Sequence, residues 1–360
     1  MSTFGIFAET IESVSAHPNA DRLELAKLIG IGYQFIIGKG QFQPGDQVLY
    51  FPIDALITPE ILATIGLTGK LSGKNKNRVK TIRLRGCISQ GIVVAPATIL
   101  KEQVGPTFGY DSNGDGTYRK IDYAELLGVT KYEPEEAGPG QLGPQSPLPA
   151  GVCHYDIENC ERWQNQLGAL MDQPVVITEK LEGSHIAITR LLDGTIVTCT
   201  RKTSLVEPES KYHMGAENSG IYGAIKELAE IHPEHQITIR GELCGPGVQG
   251  NIYGMTRLHM YVFDIELSGR PIDAKQFREL TIKLAIPTVP FLSTPGTTLR
   301  EWLGSRSIQE ASNGQPVLGS DTNVLREGIV IKPETEQTDC QLGRLFLKQR
   351  SPDYLASSDS

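Results

Sequence analysis

A proline- and glycine-rich stretch near the middle of the chain constrains the fold more than any other feature. Residues 133–151 read EPEEAGPGQLGPQSPLPAG and keep no apolar period. Such a composition is typical of linkers rather than of helices or strands. With 360 residues, the chain is long enough for two separate cores. The sequence therefore predicts an N-terminal domain at 1–132, a linker at 133–151 and a larger C-terminal domain at 152–355.

The two predicted domains differ in their local patterns. Before the linker, short apolar runs alternate with Gly, Pro and Asn, which indicates a small β-barrel. After the linker, strand-like runs are mixed with helical patterns near 219–231, 273–284 and 298–311. The sequence therefore predicts an α+β protein whose C-terminal domain is dominated by antiparallel strands.

The composition is that of an ordinary globular protein, with 39% hydrophobic and 21% charged residues. No apolar run reaches the 18 residues of a membrane-spanning helix, and the N-terminus does not resemble a signal peptide. The six dispersed cysteines form no CxxC pair, which favours reduced thiols over a disulfide frame or a zinc site. We therefore expect a cytoplasmic protein that does not interact with membranes.

The charge of the chain is unevenly distributed. The net charge of −8 argues against nonspecific coating of nucleic acid. Residues 70–85, however, read KLSGKNKNRVKTIRLR and contain no acid, and a local basic patch of this kind can bind phosphates. A solvated hairpin is the alternative interpretation. The candidate nucleic-acid-binding residues are Lys74, Lys76, Arg78, Lys80 and Arg83.

A second segment of the N-terminal domain has the spacing of a calcium-binding loop. In DSNGDGTYRKID, at 111–122, oxygen-bearing side chains alternate, and Asp122 takes the place of the usual final Glu. No clear helix leads into this segment. We therefore favour a tight turn over a calcium site.

Charged residues recur within or at the ends of the apolar strands predicted for the C-terminal domain. A single K-x-[D/E]-G match such as Lys180-Leu-Glu-Gly is a weak signal, and a salt bridge across a sheet explains any single pair. Burying unpaired charge is costly, however, so an ordered series of such groups points to a functional site. The series comprises Lys180 and Glu182, Arg201 and Lys202, Arg240 and Glu242, Phe263, Asp264 and Glu266, Glu327 and Lys332, and Lys348 and Arg350.

This series carries a resemblance to a known superfamily. KLEG, RGELCGPG, YVFDIE, EGIVIKP and FLKQR resemble, in order, nucleotidyltransferase motifs I, III, IIIa, IV and V of polynucleotide ligases and RNA capping enzymes. RGELCGPG followed by VFDI is most similar to RNA ligases of the phage ligase 2 and Deinococcus types. The similarity covers most of residues 150–355.

The N-terminal domain carries a resemblance of its own. HPNADRLELAKLIG followed by YQFIIGKGQFQPGDQV resembles the OB-type tRNA-binding module. An OB domain ahead of the transferase domain is the arrangement of the Deinococcus-type RNA ligases. The two resemblances together imply an N-terminal OB-type β-barrel followed by a nucleotidyltransferase ligase domain with an ATP-grasp-like antiparallel sheet.

The resemblance implies an ATP-dependent RNA ligase that joins 3′-OH and 5′-phosphate ends through lysyl-AMP and an adenylylated 5′ end, in RNA repair. Lys180 would attack the α-phosphate of ATP, which requires an unprotonated amine. Lys332 and Lys348 are the candidate catalytic cations that assist this attack and neutralise phosphate charge. Glu327 and Glu242 are the candidate ligands of Mg²⁺ or Mn²⁺, since these ions prefer oxygen donors.

The resemblance also implies contacts to the nucleotide. Phe263 would stack on the adenine, Glu182 and Glu242 would touch the ribose or a metal-bound water, and Arg201 would contact a phosphate or the 3′ end. Two residues depart from the usual motifs: Glu182 replaces the Asp of DNA ligases, and Arg350 replaces a Lys, which has a different geometry. The full set of candidate nucleotide-binding residues is Glu179, Glu182, Gly183, Arg201, Glu242, Phe263, Glu327 and Arg350.

Two other functions remain open from the sequence. One is a capping-type nucleotidyltransferase, which would share the motifs but prefer GTP. The other is a nonenzymatic RNA-binding protein with a decayed transferase domain. For the ligase we expect RNA or a nicked RNA/DNA duplex as the substrate, and a monomeric enzyme. The preference for RNA over DNA rests on the resemblance rather than on a residue that reads a 2′-OH.

Overall fold

The computed structural model describes residues 4–100, 108–113, 117–133, 144–206, 209–319, 321 and 323–357. The chain forms two compact units. Of the described residues, those up to 133 together with 160–164 and 355–357 form one unit, and 144–159 and 165–354 form the other. Most of the linker predicted at 133–151 lies outside the described residues, and the predicted domain bounds stay a prediction.

Short antiparallel strands build the N-terminal unit. They are β1 (Phe7–Ala16), β2 (Leu23–Leu28), β3 (Ile31–Gly38), β4 (Gln47–Phe51), β5 (Ala55–Leu56), β6 (Thr81–Leu84), β7 (Cys87–Gln90), β8 (Ile92–Val94), β9 (Tyr110–Ser112), β10 (Tyr118–Lys120) and β11 (Thr130–Lys131), with helices α1 (Pro59–Thr64) and α2 (Pro96–Ile99). The main sheet has the order β3-β2-β1-β4-β8, and β6 and β7 form a hairpin.

Alternating side chains place apolar clusters on both faces of this sheet. Along β3, Tyr33, Phe35 and Ile37 are buried in the period of two that a strand imposes. They belong to one cluster, whereas Leu49 and Phe51 of the central strand β4 belong to a second cluster. Burial on both faces fixes the register of the sheet, because a slip of one residue would reverse every side chain.

The chain after residue 143 is mixed α+β, as predicted. Its strands are β12 (Gln145–Pro147), β13 (Glu158–Asn159), β14 (Val175–Lys180), β15 (Ser184–Arg190), β16 (Ile196–Cys199), β17 (Thr203–Leu205), β18 (Ile237–Cys244), β19 (His259–Leu267), β20 (Arg270–Pro271), β21 (Gly328–Pro333), β22 (Thr338–Asp339), β23 (Gly343–Arg344) and β24 (Leu347–Arg350). Its helices are α3 (Gln164–Leu170), α4 (Lys211–Asn218), α5 (Ile221–Ile231), α6 (Ala274–Lys283), α7 (Leu299–Leu303), α8 (Ile308–Ser312) and α9 (Pro352–Ser357).

Two sheets form the frame of the C-terminal unit. One has the order β12-β17-β16-β15-β18-β19-β20, and the other has the order β13-β24-β21-β14. Helices α4 and α5 contribute to an apolar core with one face of the larger sheet, where Ile186 and Ile188 of β15 are fully buried. Since side chains alternate along a strand, the residues between these isoleucines face the other way.

The helix predicted near 298–311 is wrong as one continuous element, because the structure has the separate helices α7 and α8 there. Thr298 and Ser307 each begin a helix with a capping box, in which the hydroxyl and a Glu three residues later satisfy each other's backbone N–H groups. Gly304, with φ of +60°, ends the first helix. Two start signals nine residues apart therefore produced one broad helical pattern.

Candidate active site

A cavity that is partly open to solvent is lined by both sheets of the C-terminal unit. Strands β14, β21 and β24 line one wall, and β15, β18 and β19 line the other. Of the predicted site residues, those on the lining are Glu179, Lys180, Arg201, Glu242, Phe263, Lys332 and Lys348.

The smaller sheet orders its side chains along the cavity. Val176 pairs with Lys332, Thr178 with Val330, and Lys180 with Gly328. The step from Val176 to Lys180 is four residues, about 13 Å along a strand. The cavity therefore has a lysine end, near Lys180, and a ring end, where Lys332 lies beside aromatic side chains.

At the lysine end, the amine of Lys180 lies 2.6 Å from a carboxylate oxygen of Glu327. The other oxygen of Glu327 lies 3.6 Å from Nε of Arg350. Glu327 thus contacts both Lys180 and Arg350, and neither Glu327 nor Arg350 lines the cavity. The sheet brings together residues that are 147 positions apart in the sequence, because β14 and β21 are neighbours.

Burial changes the protonation of two further groups at this end. Burial, and then the positive charge of Lys180, lowers the pKa of Lys348 to about 8. Burial raises the pKa of Glu242 to about 8, against the opposing effect of Lys180. Near neutral pH both groups can therefore exchange protons, as groups at active sites often do.

The ring end is built around Asp264. Its carboxylate accepts hydrogen bonds from Tyr155 Oη, from Lys332 Nζ at 2.8 Å and from Arg344 Nη1 at 2.6 Å. Burial alone would raise the pKa of Asp264, but Lys332 and Arg344 hold it well below its usual range. Lys332 is therefore committed to an ion pair in this structure rather than pointing at the lysine end.

Three aromatic rings lie side by side above this network. The ring of Tyr155 is centred 5.3 Å from that of Phe263 and 5.4 Å from that of His185. All three rings line the cavity. Such a cluster offers flat apolar surface of the kind on which a nucleobase stacks.

Glu182 and Gly183 lie beside the cavity rather than on its lining. The carboxylate of Glu182 accepts hydrogen bonds from the backbone N–H of Gly250 at 2.9 Å and from Tyr354 Oη at 2.6 Å. Gly183 packs so tightly that a Cβ atom there would come within 2.5 Å of the carbonyl oxygen of Leu243. The glycine of KLEG is thus required by the close approach to β18.

Glu179 lies on the cavity lining, but its carboxylate is held by a backbone contact outside β14. Its Oε2 accepts a hydrogen bond of 2.7 Å from the backbone N–H of Val317, and burial raises its pKa. Among the residues that the structure describes, its Oε1 is buried without a hydrogen-bond partner. Its role as a nucleotide ligand stays a prediction.

The basic residues at 70–85 divide into two kinds. Lys74, Lys76 and Arg83 are exposed, and Lys80 is half-buried. Arg78 instead forms a 2.8 Å ion pair with Asp54, and its guanidinium lies 3.6 Å from the ring centre of Tyr132. Arg78 therefore stabilises its own unit. The calcium question at 111–122 stays open, because 114–116 lie outside the described residues.

The fit of a divalent ion depends on the carboxylates at the lysine end. Within the described residues, no three His, Cys, Asp or Glu side chains come together as a ready metal cage. Mg²⁺ is commonly held by one or two carboxylates together with phosphates and water. Glu327 and Glu242 would be those carboxylates, since both lie next to Lys180 and the charge of Glu327 acts on Glu242, and their role as metal ligands stays a prediction.

Comparisons with known proteins agree with this geometry. An RNA ligase family model matches residues 173–349, which contain the first four motifs and all but the last residue of the fifth. Residues 173–349 therefore form an RNA ligase domain. An OB-fold domain model matches residues 6–96, so the predicted N-terminal OB fold ahead of a ligase domain is confirmed. No curated protein sequence matches the chain.

Solved structures of one organism's RNA ligase share the fold. A variant of Naegleria gruberi RNA ligase with ATP and Mn is 22% identical, with a TM-score of 0.78 over 99% of this chain and 100% of that one. The same ligase with PPi is 24% identical, with a TM-score of 0.76 over 97% of each chain. A variant with AMP and Mn is 22% identical, with a TM-score of 0.76 over 99% of each.

The sequence analysis missed several residues of this RNA ligase domain that line the cavity. They are Tyr155, Asp156, His185 and Phe346. Two of them could have been predicted from the sequence, because His185 directly follows KLEGS and Phe346 directly precedes LKQR. Tyr155 had no signal, since it lies close to the predicted linker and reaches the site through tertiary packing.

Proposed function

We propose that this RNA ligase seals 3′-OH and 5′-phosphate ends at the expense of ATP, with Lys180 as the residue that carries AMP. The observation that supports this most is the position of Lys180. It lies at one end of the cavity, together with Glu242 and Lys348 from other strands and Arg201 from the turn between β16 and β17. Amine, carboxylates and cations around a single cavity are the groups that nucleotidyl transfer requires.

The reaction has three steps. The amine of Lys180 attacks the α-phosphorus of ATP, a P–N bond forms, and pyrophosphate leaves. An oxygen of the RNA 5′-phosphate then attacks this phosphorus, and the P–N bond breaks as Lys180 regains a proton. Finally the 3′-OH attacks the activated 5′-phosphate, and AMP leaves.

The side chains at the lysine end have distinct proposed roles. Lys348 and Arg201 neutralise charge on the phosphates, and Arg350 orients Glu327. Glu327 would hold the Mg²⁺ or Mn²⁺ ion, and Glu242 would contact the ribose or a metal-bound water. A metal on Glu327 would compete with Lys180 for the carboxylate and leave the amine free to lose its proton.

The ring end holds the base. Phe263 stacks on the adenine, while Lys332 acts by fixing Asp264 and Arg344 at the floor of the cavity. Lys332 therefore positions the base pocket and stays away from the reacting phosphate. This assignment refines the expectation that it is a catalytic cation.

Covalent labelling tests the assignment of the nucleophile. We expect the wild-type protein with α-labelled ATP and Mg²⁺ to retain label, and Lys180→Ala to retain roughly a thousandfold less, because Lys332 is held in its ion pair with Asp264 and Lys348 is proposed to neutralise phosphate charge rather than to attack. Lys226→Ala, which removes an exposed lysine of α5, is the matched control. Equal labelling of Lys180→Ala and wild type would overturn the assignment.

The substrate class is tested by sealing of nicked duplexes. We propose RNA repair as a cytoplasmic, monomeric enzyme, and we expect faster sealing when the 3′-OH strand ends in RNA than in DNA. Equal sealing of both would contradict the RNA preference. Stronger labelling with GTP than with ATP would identify a capping-type transferase instead of a ligase. RNA binding without any labelling would identify a decayed transferase.

A further inference from the structure

His185 has two ring nitrogens without a partner inside the cavity. Both Nδ1 and Nε2 are buried and form no hydrogen bond with any residue that the structure describes. The ring lies on the lining of the cavity. Buried polar groups in folded proteins are almost always paired, so an unpaired imidazole in a cavity indicates a missing partner from a ligand.

The position of His185 lies between the two ends of the cavity. At one side its ring is centred 5.4 Å from Tyr155 and 5.9 Å from Phe263, at the ring end. At the other side, it pairs across β15 and β18 with Glu242, whose protonation responds to Lys180. If the base of a nucleotide stacks on the rings and its α-phosphate lies at Lys180, the sugar is the part of the nucleotide that lies next to His185.

The charge state of the imidazole selects the chemistry of the partner. Burial, followed by the positive charges of Arg240 and Arg201, lowers the pKa of His185 to about 3, so the ring is neutral near pH 7. A neutral imidazole has one N–H donor and one acceptor nitrogen. A hydroxyl can pair with either nitrogen, because it both donates and accepts, whereas a phosphate oxygen only accepts and can pair with the N–H alone.

From these observations we infer that His185 is a specificity-determining residue that hydrogen-bonds a ribose hydroxyl of ATP. This inference rests on the proposed function, because it takes ATP as the nucleotide at Lys180. It assigns to His185 the selection of ribonucleotides over their 2′- or 3′-deoxy forms.

The test measures binding apart from catalysis. In a Lys180→Ala background, which cannot form lysyl-AMP, the affinities for ATP, 2′-deoxy-ATP and 3′-deoxy-ATP are compared by calorimetry with and without His185→Phe. The phenylalanine keeps a ring beside Tyr155 and Phe263 but removes both nitrogens. We expect ATP to bind roughly fivefold more weakly to the His185→Phe protein, the value of one neutral hydrogen bond.

The deciding result is the ratio between the nucleotides. One of the two deoxy compounds should bind both proteins within about twofold, so that its disadvantage against ATP disappears in His185→Phe. His185→Asn, which restores a donor and an acceptor, should recover part of the ratio. His259→Ala, on the same sheet but off the cavity lining, should leave the ratio unchanged.

The first two of the following results distinguish a failure of the ribose contact from a failure of the proposed function, and the third bears on the hydrogen bond alone. If His185→Phe weakens ATP and both deoxy compounds equally, or weakens none of them, the ribose contact is wrong even though Lys180 still becomes labelled in the otherwise wild-type protein. If the wild-type protein binds ATP with the expected ratios but takes no label on Lys180, the ribose contact stands and the ligase proposal fails. If Asn does not differ from Phe while both are folded, the hydrogen bond is also refuted.

Discussion

The basic residues of the two units are held in opposite ways. In the cavity, Lys332 is buried and lies 2.8 Å from Asp264, and Lys180 lies 2.6 Å from Glu327. In the stretch at 70–85, Lys74 and Lys76 stand in solvent. Buried charges must be paired to offset the cost of desolvation, whereas exposed charges are screened by salt and water.

The difference shows which kind of specificity each region can provide. The cavity holds Lys180 and Lys332 in ion pairs of 2.6 and 2.8 Å with fixed carboxylates, so it can orient one small ligand. Exposed lysines have mobile side chains and act through the sum of their charges, which suits a phosphate backbone of any sequence. We expect changes in the cavity to have large local effects, and changes in the basic stretch to have small additive ones.

The largest effect on stability is expected from Asp264→Asn. It keeps the shape but leaves Lys332 and Arg344 without the buried charge that both contact, which should cost about 3–5 kcal/mol. The melting temperature should fall by roughly 10 °C in a thermal unfolding measurement. Asp111→Asn breaks the exposed pair with Arg119 and should cost below about 1 kcal/mol. If the two variants lost similar amounts of stability, the proposed difference between buried and exposed ion pairs would be wrong.

Lys348→Met should stabilise the protein in a pH-dependent way. Below pH 8 the amine is charged in both states, and the folded protein bears the cost of burying that charge. Between pH 8 and its unfolded value of 10.5, the folded state loses the proton first and the cost fades.

The measurement is the difference in melting temperature between Lys348→Met and wild type. It should be a few degrees in favour of the variant at pH 7, at roughly 2–4 °C per kcal/mol, and should shrink by pH 10. Lys74→Met is the exposed control, with the same small difference at both pH values. A Lys348→Met advantage that grows with pH would contradict the burial argument.

The smallest effects are expected in the basic stretch. Lys74→Ala, Lys76→Ala and Arg83→Ala should each reduce the slope of log affinity for single-stranded RNA against log salt by about 0.7, one phosphate contact apiece. Arg78→Ala should instead lower the melting temperature, because it loses the Asp54 pair and the Tyr132 ring. Fluorescence anisotropy at several salt concentrations measures the slopes. Unchanged slopes in all three variants would favour the solvated hairpin.

Much of the site could be predicted because its residues lie in short motifs at strand ends. Lys180, Glu242 and Lys348 stand where KLEG, RGEL and FLKQR place them, and β14, β18 and β24 carry them to one cavity. Strand alternation then decides which neighbours face inward. Glu179 and Glu182 are separated from Lys180 by one and two positions, yet both carboxylates are tied elsewhere, to Val317 and to Tyr354.

Other features were not accessible from sequence patterns. Arg344 contacts both Asp264 and Glu336, although FLKQR gave no reason to include it. Tyr155 and His185 became site residues through packing between strands, which depends on register and not on local composition. The split of 298–311 into two helices depended on two competing capping boxes.

The sequence by itself determined the reaction family, because five ordered motifs in it resemble those of nucleotidyltransferases. The tertiary structure decided which partner each charge has, and thereby separated the lysine end from the ring end. The physical reason is that periodicity specifies the side of a strand on which a residue lies. The pairing of charges depends on which distant strands become neighbours.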